Sequence, residues 1–341
     1  MAYYGERPPP HSHRAPSELE EQLIPRRRAP TTGTPTAATL PTGFHHLCTG
    51  EPFNLLLAIE NDNNALAAIR VTSELTKRGA IPRVINVTRP PRHPLTSPSA
   101  LSYANAILGE NFHDNRCRLL DDLISNAVGE GKDWPSKSVI GDPAERIIQE
   151  AVSENAELIV MGINNHGHFA QAFGQNTATR IIGRAPVPVL GVRPRMSTMP
   201  RVIMVATDFD ESSRHAAHIA ANFAEPDGRV VLVHVSPTTQ MSDDATEHPS
   251  SLRAEEVADG FLHLANDIGA ARSIDVESLH RIGNPIEELL SAAQAIAADL
   301  IAIGSERSEG VTRLPLESVT RALIREGHWP MLVTPPVISE N

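Results

Sequence analysis

Two spacings of apolar residues alternate along this chain. Short runs apolar on both sides, such as FNLLLAIE (53–60), IPRVINVT (81–88) and ELIVMG (157–162), fit strands of a parallel sheet covered on each face. Between the first two, Ala65, Ala68, Val71 and Leu75 recur at helical spacing with Ile69 beside them, which predicts a helix over 63–77. A Pro-rich loop (89–98), a helical region over about 100–127 and a strand around 136–140 follow. From 201 the plan restarts with strand 201–207, helix 212–224, strand 229–235, polar loop 236–249, helix 250–268 and strand 273–281. Strands that alternate with helices predict a parallel sheet with right-handed crossovers in each half.

The strongest pattern is an internal repeat. Residues 141–190 return 142 positions later as 283–332 without a gap, so VIGDPAERIIQEAVSENAELIVMG is answered by RIGNPIEELLSAAQAIAADLIAIG. Asp142 and Asn284 are the expected N-caps, with Pro143 and Pro285 at the first helical position. Glu145 and Glu287 stand at the third position, where a carboxylate can reach back to the cap. Ala144, Ile147, Ile148 and Ala151 form one apolar face, matched by Ile286, Leu289, Leu290 and Ala293. Each copy ends in a second helix and a short apolar strand, 187–192 or 329–334. RPRMSTMP (193–200) is the linker. Residues 1–46, rich in Pro, Thr and Arg without apolar period, are expected to be disordered.

Composition narrows the function classes. A length of 341 residues, 40% of them hydrophobic, allows two domains with real cores. The net charge of -11 argues against nonspecific binding to nucleic acid or anionic lipid. Cys48 and Cys117 are too few for a disulfide framework or a cysteine zinc site. The absence of a long apolar run predicts no membrane span, and the N-terminus lacks a secretory signal, so a cytoplasmic protein is expected. His45, His46, His166 and His168 lack an evident carboxylate or cysteine partner and read as exposed loop residues, so no metal is expected. There is no G-x-S-x-G, Walker loop or H-E-x-x-H, which leaves an enzyme little to work with.

The ordered set VIMVATDFDESSRHA, VVLVHV and IGNPIEELLSAAQAIAADLIAIGS, present twice in more and less diverged form, resembles the universal stress protein family. The resemblance covers 53–194 and 201–335. It implies two tandem α/β domains, each a five-stranded parallel sheet of order 3-2-1-4-5 flanked by helices, in a family that usually dimerises. The two halves are expected to pair through their apolar final strands, and a homo-oligomer and a regulatory protein partner are left open.

Nucleotide-binding relatives carry G-x2-G-x9-G-S/T after strand four, where backbone amides and a helix N-terminus meet phosphates. Here Gly162 and Gly304 keep the first glycine, but the second is Asn165 or Arg307 and the third Gln175 or Glu317. Asn176 and Ser318 hold the terminal position. Glu317 would repel a phosphate about 4 Å away by roughly 4 kcal/mol per charge at an effective dielectric near 20. The first half keeps Gly167 and Gly174 slightly out of register and is the better candidate. After strand one, Asp208 and Glu60 are the acids that would hold a ribose or base, and Asp210 and Asp62 compete with them as cap residues. Three readings result. The first is a non-catalytic tandem protein of stress response or regulation with degenerate pockets. The second is a binder of ATP or AMP (with Mg2+) using mainly the first half. The third is a small nucleotide hydrolase on the same fold.

Overall fold

The computed structural model describes residues 45–49, 51–59, 65–90, 111–129, 133–163, 174–237, 254–271, 274–305 and 316–336. A short helix α1 (His45–Thr49) precedes the first half. That half runs β1 (Phe53–Ala58), α2 (Ala65–Thr76), β2 (Ala80–Thr88), α3 (Phe112–Val128), β3 (Ser136–Ile140), α4 (Pro143–Ser153), β4 (Leu158–Gly162), α5 (Gly174–Ile182) and β5 (Val189–Val192). The second runs β6 (Val202–Ala206), α6 (Glu211–Phe223), β7 (Arg229–Ser236), α7 (Ala254–Ala271), β8 (Asp275–Ile282), α8 (Pro285–Ala295), β9 (Leu300–Gly304), α9 (Leu316–Glu326) and β10 (Met331–Thr334). The strands agree with the apolar runs to within a residue or two. α3 and α7 are described from later starts than the periodicity gave, and their upstream stretches fall outside the described residues.

The strands form one ten-stranded sheet in the order β3-β2-β1-β4-β5-β10-β9-β6-β7-β8. Each half is thus a parallel 3-2-1-4-5 sheet, and the halves meet at β5 and β10. That pair is antiparallel, with Leu190 opposite Leu332 and Gly191 and Val189 opposite Met331 and Val333. Leu190 and Leu332 are themselves repeat partners, so a pseudo-twofold axis passes through them. Both are 0% exposed. Burying a leucine completely contributes about 2 kcal/mol, so this short ladder carries an apolar seam as well as hydrogen bonds. It also removes the edge strand that each half would otherwise expose.

Right-handed crossovers place the helices on two faces. One continuous core joins α2, α3, α6 and α7 to one side of the sheet across both halves. A second joins α4, α5, α8 and α9 to the other side. The repeat's caps form: the Asp142 carboxylate accepts from Glu145 N at 3.2 Å and Asn284 Oδ1 from Ile286 N at 3.0 Å. The Glu145 carboxylate faces Arg180 at 3.6 Å, where the sequence had suggested a bond back to the cap.

The seam is reinforced on both sides. Arg78, just after α2, donates to the carbonyls of Asn222 and Ala224 at the end of α6, at 2.9 and 3.0 Å. Arg193, just after β5, donates to the carbonyls of Ile324, Gly327 and Trp329 at 2.9, 3.0 and 3.2 Å. Each arginine thereby satisfies orphan carbonyls at a helix terminus of the other half. Helix α1 begins two residues inside the stretch expected to lack structure. Its Leu47 is buried in the core beside α6, and its backbone carbonyl accepts from Asn222 Nδ2. His46 is consequently not a loop residue: its Nδ1 donates to Glu157 at 2.8 Å. That bond, foremost, raises the His46 pKa.

Candidate functional site at the carboxyl edges

In open α/β sheets ligands bind beyond the carboxyl ends of the strands where the strand order reverses, here after β1 and β4 and after β6 and β9. The second edge is the fuller picture. β6 leads into TDFDESS, and the turn into α6 places Phe209 at φ 67°, a left-handed conformation rare outside glycine. Packing offsets that strain. The Phe209 ring stacks on His234 at 5.0 Å and meets Phe261 edge-on at 5.1 Å. Thr207 Oγ1 accepts from Phe209 N at 3.0 Å and lies 3.0 Å from Ser213 Oγ.

Asp210 is the N-cap of α6. Its carboxylate accepts from Ser213 N and from Ser212 Oγ, both at 2.7 Å. Burial alone would raise its pKa. Hydrogen bonding with Asp208, the Ser213 amide and the two serine hydroxyls outweighs that and holds the carboxyl below its usual range. Asp208 is therefore not the cap; its Oδ1 accepts from Asp210 N at 3.3 Å in the tight turn.

Gly304 ends β9 beside Thr334 in the ladder. A Cβ placed on it would lie 2.5 Å from the Ser212 carbonyl carbon and 2.6 Å from Ser213 N. The glycine at this position lets the start of α6 rest on the strand, and Thr334 Oγ1 donates to Ser212 O at 2.9 Å to hold it there. Ser318 is the third residue of α9.

At the first edge, Gly162 ends β4 next to Val192 of β5. Gly174 is the first residue of α5 and Asn176 is its third. Glu60, Gly167, Asn165, His166 and His168 lie outside the described residues.

Sequence reasoning missed a polar set here. Arg89 follows β2 and its guanidinium donates to Thr177 Oγ1 of α5 at 2.5 Å. Since β1 lies between β2 and β4, this arm reaches across the switch point. Beside it Arg180 donates to Asp142 at 2.9 Å. That bond leads the causes that lower the Asp142 pKa, and the charge of Arg89 adds to it. The repeat carried a signal for this set: Thr177, Arg180 and Asp142 face Val319, Ala322 and Asn284 at the same offset.

One bond is shared by the two edges. Asn86 Nδ2 donates to Ile59 O at 2.9 Å, and His234 Nδ1 donates to Thr207 O at 2.8 Å. The histidine of VVLVHV thus ties down the end of the neighbouring strand. Further out, His280 Nε2 lies 2.8 Å from Ser236 Oγ, and burial lowers its pKa, so the ring is neutral at pH 7. Among the described residues no cluster of His, Cys, Asp and Glu could hold a metal ion, and no helix is long and apolar enough to cross a membrane.

Two five-stranded halves of order 3-2-1-4-5, joined in one sheet and flanked by helices, define a tandem open-sheet α/β protein. The model of the universal stress protein family matches residues 53–193 and again 199–335, and the chain belongs to that family. It is 24% identical over 229 residues to a universal stress protein of Mycobacterium tuberculosis, covering 62% of this chain and 72% of the relative. A universal stress protein of Methanocaldococcus jannaschii is 26% identical over 123 residues, covering 36% of this chain and 72% of its own length. Among solved structures, a universal stress protein from Archaeoglobus fulgidus superposes with a TM-score of 0.61 at 21% identity, over 86% of this chain and 100% of its own.

Proposed function

We propose that this tandem universal stress protein acts by binding and conformation, as a regulatory module of the stress response, without chemical turnover. The observation that carries this reading is the second edge. Asp210, Ser212, Ser213, Thr207, Thr334 and Gly304 are engaged with one another in seating α6. Side chains that could address a substrate are used to hold the fold. The Ser236–His280 pair fits the same view, since among the described residues no carboxylate is hydrogen-bonded to that imidazole to orient it, as a nucleophile–base pair needs. The test is product analysis after incubation of the purified chain with ATP and Mg2+. Multiple-turnover release of ADP or AMP that survives further purification would refute the proposal.

A second reading, binding of ATP or AMP through the first half, is favoured by one observation. Arg89 places a guanidinium across the first switch point, in the half without Glu317. A planar fork of donors suits phosphate even where a glycine loop is lost. Calorimetry with the full chain separates the readings. If the first half binds, Arg89→Ala should weaken ATP at least tenfold and Asp208→Ala should leave it unchanged; the reverse pattern assigns the ligand to the second half.

A further inference from the structure

A cavity of about 320 Å3 opens away from both switch points, where the linker crosses the amino ends of β6, β9 and β10. That volume lies within the roughly 300–1,000 Å3 of small-molecule sites. The cavity exists because the linker is folded. Met196 N donates to Arg193 O at 2.9 Å, and Met196 and Met199 are buried in the core. They pin the segment at two points and leave a hollow between it and the turn before β10.

The charge of this hollow is one-sided. Arg193, Arg195, Arg201 and His328 line it, against the single acid Asp299. Asp299 is already engaged, because its Oδ2 accepts from the backbone amides of Arg201 and Val202, both at 2.9 Å. Arg193 is held by the carbonyl oxygens at the end of α9, and burial lowers its pKa only to about 10, so it stays cationic at neutral pH. Arg201 is paired with Asp227 at 2.5 Å, a residue outside the cavity wall. Arg195 is exposed and makes no ion pair with a described residue. The remaining wall joins Met196, Met199 and Pro200 to the polar Ser197 and Thr198, with the half-buried Trp329 between His328 and Pro330.

The pseudo-symmetric place in the first half is built differently. Glu157 is the repeat partner of Asp299, and there His46 of α1 sets its ring on the carboxylate at 2.8 Å. At one end of the molecule a side chain of the protein supplies the charge partner; at the other the exposed Arg195 lines open volume.

We propose that the linker cavity is a binding site for a small organic anion with a flat unsaturated body, its charged group against Arg195 and its ring against Trp329. Such a ligand would touch the linker and the second half together and hold the linker in its folded path. The site shares no residue with either switch point, so its test is separate from the functional reading above.

The probe is 1-anilinonaphthalene-8-sulfonate, an aromatic monoanion, titrated into the full chain with N-phenyl-1-naphthylamine as its neutral counterpart. Saturable one-to-one binding is expected, with quenching of tryptophan emission that persists in Trp134→Phe, because the other tryptophan is Trp329. Arg195→Glu should weaken the anion at least tenfold, and Arg195→Lys should retain most of the affinity. Ser197→Trp, at an exposed lining position, should block it. Affinity should fall as salt rises, because the charges are near solvent. Arg195 and Ser197 are both exposed positions, and thermal melts check that every variant folds. Equal binding of the neutral probe, or unchanged binding of the anion to Arg195→Glu, overturns the proposal.

Discussion

The two carboxyl edges share one backbone plan and have diverged in opposite chemical directions. In the first half, Arg89, Thr177, Arg180 and Asp142 put two cations and a carboxylate between α4 and α5. Gly141 N donates to Thr88 O and Gly283 N to Ser236 O, which makes Pro237 the counterpart of Arg89. Val319, Ala322 and Asn284 complete the second set, so none of these counterpart positions carries a charge. Its polar groups lie on the other side of the strand ends, where Asp210 and two serines anchor α6. The difference shows that the fold needs each helix start tied down but does not dictate by which residues. One edge carries long charged arms between its helices, and the other places its polar groups in short internal bonds.

The seam, where the halves are most alike, should give the largest effect. Leu332→Asp places a charge at a fully buried position opposite Leu190 and should destabilise the chain by more than about 4 kcal/mol. Urea denaturation measures this, and a loss under 2 kcal/mol would mean the ladder is not where the halves are joined.

The second expected effect is specific to the second half and depends on pH. His215 of α6 is 4% exposed, and its pKa is lowered to about 4, by burial first, then by the charges of His218 and Arg214, with Asp210 opposing. Its counterpart in α2, counted from the ends of β1 and β6, is Ala67. A histidine whose folded pKa lies below the unfolded value of about 6.5 stays neutral in the fold while the unfolded chain takes up a proton. Stability should therefore be flat above pH 6.5 and fall as pH drops toward 4, by on the order of 2 kcal/mol after allowance for solvent screening. His218, also lowered by burial, adds in the same direction. Denaturation of His215→Gln across this window should show a shallower fall; an unchanged slope would assign the effect to other groups.

A comparable effect is expected at Gly304. The Gly304→Ala methyl would press on the start of α6 at 2.5 Å, and relieving it should cost about 1–3 kcal/mol. A neutral result would show that α6 can lift from the strand. The smallest effect concerns the first edge. Asp142→Asn installs the second half's own cap residue and removes the pairing with Arg180, which should change stability by only about 0.5 kcal/mol. A loss several times larger would make the charged set a structural requirement and weaken its reading as a ligand arm.

The strands and caps were legible because they are local. Covered strands read as apolar runs, and Asp142-Pro143 and Asn284-Pro285 announce their helices without reference to anything distant. The pairing of β5 with β10 was legible from the repeat together with two apolar final strands. What could not be read depends on meetings between distant segments. Leu47 follows directly on a stretch without apolar period and shows no sign of burial until α6 is placed beside it, and the bond from Arg89 spans 88 positions. In the sequence Gly304 stands as the first glycine of a degraded phosphate-loop motif, and the structure gives it a packing task. The spacing of a glycine motif does not distinguish backbone that must approach a ligand from backbone that must approach a helix.

The antiparallel ladder between β5 and β10 also changes how the molecule responds to dilution. A two-chain version of the same sheet would be held by mass action, and its melting point would fall with protein concentration. Here the partner arrives on the same polypeptide, so association is a first-order event and Tm should be the same at nanomolar and micromolar protein. Linkage also settles which surface meets which. The first half cannot pair with a second copy of itself at its own expense, because its neighbour is present at an effective concentration near millimolar. A homodimer must keep both faces of its interface under one sequence, so a substitution is always made twice. In this chain each side of the seam is written once, and a change on one side can be answered on the other. That freedom allows one half to carry Arg193 into its neighbour's helix end while the other has Pro335 at the matching position.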